Sequence, residues 1–132
     1  MTKPDFTLYF KEGIEHFNAR QFWHAHESWE ALWLEADSDL VEFLQGLIQL
    51  AAAYHHVQRG TYSGAIRLFE AALRRMEPFP NPFCGIDRQP AVDAARRDRL
   101  ALSGGGVPEE WNYPSLVLLS SELSPMPPRD DW

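Results

Sequence analysis

Apolar side chains recur every three or four residues from Phe6 to Met76, the spacing of one face of a helix. Phe6, Phe10, Ile14 and Phe17 mark a first helix over Phe6 to Ala19, with Pro4-Asp5 offering a cap. The same pattern predicts helices over Phe22 to Ala36, Leu40 to Arg59 and Tyr62 to Met76. Polar breaks fall between them: Asn18 to Gln21, then Asp37-Ser38-Asp39, which supplies caps for the third helix, then Gly60-Thr61. Pro78-Phe79-Pro80-Asn81-Pro82 cannot continue a helix, so the helical core is expected over about residues 5–77. Beyond it the pattern fades. Pro90 to Leu102 fits a helix with proline in its first turn, but its apolar spacing is weak, and Ser103-Gly104-Gly105-Gly106 stops it. Residues 78–132 are expected to form a largely irregular, proline-rich wrap anchored by Trp111, Leu116 and Leu118.

The pattern also repeats. A shift of 40 residues lays His16 on His56, Phe22 on Tyr62, Ala25 on Ala65, Trp29 on Phe69 and Glu30 on Glu70, with Arg20 on Gly60. A small alanine between two aromatics suits a helix hairpin, because it lets the paired helix approach while the rings fill either side. Tetratricopeptide repeats use similar spacing with a shorter period of about 34 residues. The expected fold is therefore all-α: two stacked helix–turn–helix hairpins in one domain. The repeat also isolates what packing does not require. His26 falls on Ile66 and Trp33 on Leu73, so plain core residues suffice at both positions in the second copy.

Composition narrows the function. Hydrophobic residues make up 45% of the 132-residue chain and aromatic residues 13%, which supports a packed core rather than disorder. The net charge of −7 disfavours nucleic acid and anionic membrane as partners. No Lys or Arg occurs from Gln21 to Gln58, a stretch holding Glu27, Glu30, Glu35, Asp37, Asp39 and Glu42, so a cation or basic partner is favoured there. The single cysteine, Cys84, excludes an internal disulfide and a cysteine-type zinc site. The opening MTKPDF lacks a signal-peptide core, and Leu40 to Tyr54 is too short and too polar to span a bilayer, which makes a cytoplasmic location the default. Composition leaves a homo-oligomer open.

The chemistry concentrates in Phe22 to Trp33. His26, Glu30 and Trp33 stand at i, i+4 and i+7, so an imidazole, a carboxylate and an indole share one helical stripe. On the third helix Gly46, Gln49, Ala53 and His56 form another. One reading is a divalent-metal site, zinc, manganese or iron, held by His26, Glu30 and His56 or His55. His24 stands about 200° from His26 and cannot join them. A second reading is a ligand pocket of His26, Glu30, Trp33, Gln49 and His56. A third makes His26 and Glu30 an acid–base pair of a hydrolase-type enzyme. Against these stands a buried His–Glu–Gln hydrogen-bond network that only fixes helix register, in a tetratricopeptide-like adaptor for a partner protein. Gly46 reads as a close helix contact. Trp23, Trp29 and Trp33 read as core, with one of them free to wall a pocket.

From Gly13 to Glu77 the chain resembles the bacterial and archaeal family known as domain of unknown function 309. The resemblance rests on Phe17-Asn18, Phe22, Ala25-His26-Glu27, Glu30 and Trp33, on Phe43 to Gln49, and on Arg59-Gly60 with Gly64-Ala65. Gly85-Ile86-Asp87 is similar to a segment that follows the family's fourth helix. Arg20 departs from the pattern where glycine often closes the first turn. The resemblance implies an all-helical fold and, through its motif, metal binding or catalysis, with no established activity.

Overall fold

The computed structural model describes residues 5–119. In chain order they form α1 (Phe6–Asn18), α2 (Phe22–Trp33), α3 (Ser38–Arg59), α4 (Tyr62–Met76), β1 (Ile86–Asp87), α5 (Gln89–Ser103) and β2 (Val117–Leu118). Each helix packs mainly on the one that follows it, in the order α1, α2, α3, α4, α5. This is the stacked helical-hairpin arrangement that the sequence predicts. Among the described residues no helix is long and apolar enough to cross a membrane.

The two turns that close the hairpins show why a 40-residue repeat folds twice in the same way. Arg20 and Gly60 hold the equivalent position, and both lie in the left-handed region, at φ 65° and 74°. The following amides, of Gln21 and Thr61, donate to the carbonyls of His16 and His56 at 2.8 and 3.0 Å. Side chains repeat the link: His16 Nδ1 pairs with Gln21 Oε1 at 2.8 Å and His56 Nδ1 with Thr61 Oγ1 at 2.6 Å. Arg20 thus adopts the conformation that glycine takes more readily, and the turn geometry survives the departure.

Packing inside the first hairpin centres on Trp29, which is fully buried and donates its indole N–H to the Phe10 carbonyl at 3.2 Å. Gly13 makes that possible. A Cβ there would collide with Trp29 Nε1. In the second hairpin the equivalent pair is Ala53 and Phe69, a larger floor under a smaller ring. Gly46 likewise admits Met76, whose Cγ would be 2.5 Å from an added Cβ.

Helix ends differ from expectation in detail. α2 stops at Trp33, leaving Leu34 and Glu35 in a turn, and α3 begins at Ser38. Asp37 occupies the N-cap position without making a side-chain capping bond. At α1 the expected cap forms, with Asp5 accepting from the Leu8 amide at 2.9 Å.

The helix that Pro90 to Leu102 fits is present as α5, and it occupies the centre of the C-terminal wrap. Asp87 Oδ1 accepts from the Gln89 amide at 2.9 Å, Pro90 stands in the first turn, and Gly104 and Gly105 follow the end. Ala91, Ala94, Ala95 and Leu102 are buried, so the face that packs is built of small residues. Asp98 is buried too, accepting from the Tyr54 hydroxyl at 2.7 Å and tying α5 to α3. α5 therefore covers α4 as α3 covers α2, in the place that the first helix of a third hairpin would take.

The loop before α5 is held by Arg88, which is buried and donates to the carbonyls of Met76, Phe79 and Pro80 while its guanidinium stands over the Phe43 ring. Cys84, in the same loop, is buried, and burial pushes its thiol pKa up to about 12. Of the expected anchors, Leu116 is buried and fixed to α1 by the Asn18 side chain, whose Nδ2 donates to the Leu116 carbonyl and whose Oδ1 accepts from the Leu116 amide, and Trp111 packs at the edge of the core. Leu118 is exposed and instead pairs with Ile86 in the two-stranded antiparallel sheet. Residues 120–132 of the expected wrap lie outside the described residues.

Candidate functional site

α2 turns Phe22, Ala25, Trp29 and Leu32 into the core. His26 and Trp33, seven residues apart, lie within about 20° of one another on the flank of that buried face. Glu30 stands farther out. His26 is mostly covered, with 18% of its side chain exposed, whereas Glu30 is 49% exposed. The expectation of a buried His–Glu pair is therefore met only on the histidine side.

His26 Nδ1 and Glu30 Oε2 are 3.5 Å apart. That is ion-pair range if the ring is protonated, but too long for a good hydrogen bond. His26 Nδ1 is in fact buried without a hydrogen-bond partner. The same holds for Trp33 Nε1 and Gln49 Oε1. These three are the buried side-chain polar atoms that lack a partner among the described residues, and all three belong to the motif positions. The closed His–Glu–Gln network expected from sequence does not form between these side chains.

The register of α3 on α2 follows from one ring contact, Trp23 against His55 at 5.2 Å. The helices run antiparallel. Gln49 precedes His55 by six residues, about 9 Å along α3, while His26 and Trp33 follow Trp23 by about 4.5 and 15 Å along α2. Gln49 is thus level with Trp29 and Glu30, between His26 and Trp33. It lies on the stripe of α3 that stays partly open, together with Gln45 and Ala52.

His56 goes elsewhere. Its Nδ1 is bonded to Thr61, and its ring lies against Gly64 at the start of α4. Among the described residues no three His, Cys, Asp or Glu side chains gather closely enough to hold a metal ion. His55 faces Trp23, and its pKa is lowered by burial first, then by Arg59, His56 and His26. His24 stands away from His26, beside His16 and 3.9 Å from Glu27.

Of the three tryptophans read as core with one free to wall a pocket, Trp23 is the one that leaves the core and lines a groove. Trp23 is 48% exposed and stacks flat on His26, with ring centroids 4.6 Å apart and an interplanar angle of 7°. The signal was available: Trp23 precedes His26 by three residues, on the same face, and falls on Ser63 in the repeat. Trp23, His26, Glu27, Glu30, Ala31 and Leu34 line a groove of about 400 Å³. A larger cavity of about 500 Å³ lies between the start of α3 and the end of α4. It contains none of the motif residues, and its Arg75 is paired with Glu42 at 2.6 Å.

Fold and site together define a small all-helical protein of stacked hairpins, with a polar motif shared by α2 and α3. Residues 10–68, from α1 into α4, match the model of the family described as Domain of unknown function (DUF309). The resemblance read from the sequence is to that same family. No curated protein matches the chain.

Proposed function

We propose that His26, Glu30, Trp33 and Gln49 form a binding site for a small polar ligand. The observation that carries this reading is the trio of buried, unpartnered atoms. An unsatisfied buried polar atom costs about 1–3 kcal/mol, and a trio confined to one motif is a concentration of that penalty which a bound molecule would relieve.

The atoms also describe the ligand. Trp33 Nε1 only donates, Gln49 Oε1 only accepts, and the His26 nitrogen does either according to its tautomer. A bare cation satisfies the imidazole, the amide oxygen and the Glu30 carboxylate but leaves the indole N–H unpaired. A molecule with both donors and acceptors satisfies all of them. A divalent metal is therefore a weaker reading of this donor set than a hydroxyl- or amide-bearing small molecule.

The test removes the orphans while keeping shape, with Trp33→Phe combined with Gln49→Met. Without ligand the double variant should be as stable as the parent or more stable, because two unpaired atoms are gone. Native mass spectrometry of untagged protein should show a bound mass on the parent and none on the variant. Elemental analysis of the same samples covers the metal outcome. A parent that carries the bare chain mass, with a double variant destabilised by several kcal/mol, would show the three atoms to be structural and overturn the proposal.

A further inference from the structure

The outer face of α2 carries a second feature beside the buried atoms. Its groove is lined by α2 and the residue that caps it, with exposed Trp23 at one end, Leu34 at the other, and Glu27 and Glu30 between them. Trp23 and Leu34 are 48% and 68% exposed and stand eleven positions apart, about 16 Å at helical rise. Ala31 keeps the floor between them low.

The internal repeat shows that packing does not demand this face. The equivalent residues of α4 are Ser63 for Trp23, Arg67 for Glu27, Glu70 for Glu30, Ala71 for Ala31 and Arg74 for Leu34. One hairpin thus presents an aromatic ring, two carboxylates and an aliphatic end where its copy presents a hydroxyl, a single carboxylate and two guanidinium groups. No Lys or Arg occurs between Gln21 and Gln58 to neutralise the α2 carboxylates from within α2 or from the α3 stripe beside it.

We infer that this groove binds a linear alkylammonium group. The inference rests on the polar-ligand reading of the adjacent buried atoms and names the chemistry of the ligand's outward part. Glu27 and Glu30 take the ammonium as charge-assisted acceptors. The Trp23 ring, held flat by His26, adds a π face to which a cation is drawn. Leu34 and Ala31 cover methylene groups. His26 belongs to both layers: its ring backs Trp23, and its buried Nδ1 is one of the unpartnered atoms. A free diamine and a lysine side chain share this chemistry.

Two-dimensional NMR of the full-length protein tests it with three probes: 1,4-diaminobutane, end-blocked trilysine and the neutral 1,4-butanediol. The Trp23 indole and the amides of residues 27–34 should move with at least one ammonium probe and not with the diol. Response to the diamine alone identifies a small-molecule amine as the source, and response to trilysine alone identifies a peptide. The double variant Trp23→Ser, Glu27→Arg converts the face to that of α4 at two exposed positions, so folding is retained, and it should weaken binding at least about tenfold. No response to either ammonium probe, or an equal response in this variant, would overturn the inference. The variant Trp33→Phe, Gln49→Met keeps the two readings apart. If it alone loses a copurified mass while neither ammonium probe moves the parent, the buried site stands and the alkylammonium assignment falls. If the diamine response is identical in it and no copurified mass exists in the parent, the groove stands and the buried site falls.

Discussion

At the scale of single residues, the unusual side chains of this protein are those in contact with histidines. Trp23 stacks on His26 and also meets His55, so two imidazoles share one indole. His55 titrates below the usual range because burial and the nearby Arg59, His56 and His26 disfavour a further positive charge. The consequence for stability has a definite sign. An unfolded histidine takes up its proton near pH 6.5, while His55 in the fold resists it. The stability linked to this group is complete above about 6.5 and is lost as the pH falls from there through the folded pKa. Urea unfolding at about pH 7 and pH 5 should therefore show a larger loss for the parent than for His55→Gln. Equal losses would mean that His55 protonates as freely in the fold as in the unfolded chain. The residue scale is also where sequence reading found most of the candidate site and missed part of it. His26 and Glu30 are legible as neighbours because i, i+4 spacing fixes them on any helix. Whether Trp23 faces the core or solvent depends on which flank α3 covers, and helical spacing alone does not give that. The stripe on α3 assigns His56 to the site, yet its ring is recruited locally by Thr61 and Gly64 in the turn that follows, as His16 is by Gln21 in the first hairpin, and helical spacing within α3 does not show that.

At the scale of elements, the two hairpins solve one packing problem with complementary volumes. Gly13 lies under Trp29, and the equivalent positions hold Ala53 and Phe69. The pairing predicts non-additive mutations. Gly13→Ala improves helix propensity by up to about 1 kcal/mol, but it drives a Cβ into the indole, and overpacking of this kind costs about 1–3 kcal/mol. Trp29→Phe alone leaves a cavity and removes the N–H bond to Phe10. Together the two changes recreate the pair used by the second hairpin. The double variant should be more stable than the sum of the single effects allows, by about 1 kcal/mol or more in a double-mutant cycle of denaturant midpoints. Strict additivity would show that the two hairpins do not use equivalent packing. α1 to α4 were legible because large apolar residues mark their buried faces. α5 was only weakly so, because its buried face is Ala91, Ala94 and Ala95, and because its link to the core runs through Asp98, a charged residue that no apolar periodicity would place inside.

At the scale of the whole molecule, the chain is a short array in which each helix leans on the next, and charge is divided along it. The carboxylate-rich α2 and the start of α3 contain no Lys or Arg, whereas α4 and α5 carry Arg67, Arg74, Arg75, Arg96, Arg97 and Arg99. A cationic ligand is therefore drawn to one end of the array and repelled from the other. α5 is the element that keeps the second hairpin from ending in an open face, since an array of hairpins needs a terminal cover. The buried bond from the Tyr54 hydroxyl to Asp98 joins that cover to α3, and Arg97 meets the same carboxylate at 3.1 Å. Burial and the Asp98 carboxylate raise the Tyr54 pKa, so the hydroxyl keeps its proton and remains the donor. Tyr54→Phe removes the hydroxyl and keeps the ring that packs on Phe17, Phe22 and Phe69. It should cost about 1–3 kcal/mol, because Asp98 then lies buried with only Arg97 to pair it. In a nearest-neighbour array this loss stays local. Native-state hydrogen exchange should speed up most in α5, less in α4, and least in α1 and α2. If the exchange of α1 accelerates as much as that of α5, the five helices open as one cooperative unit, and the array description fails.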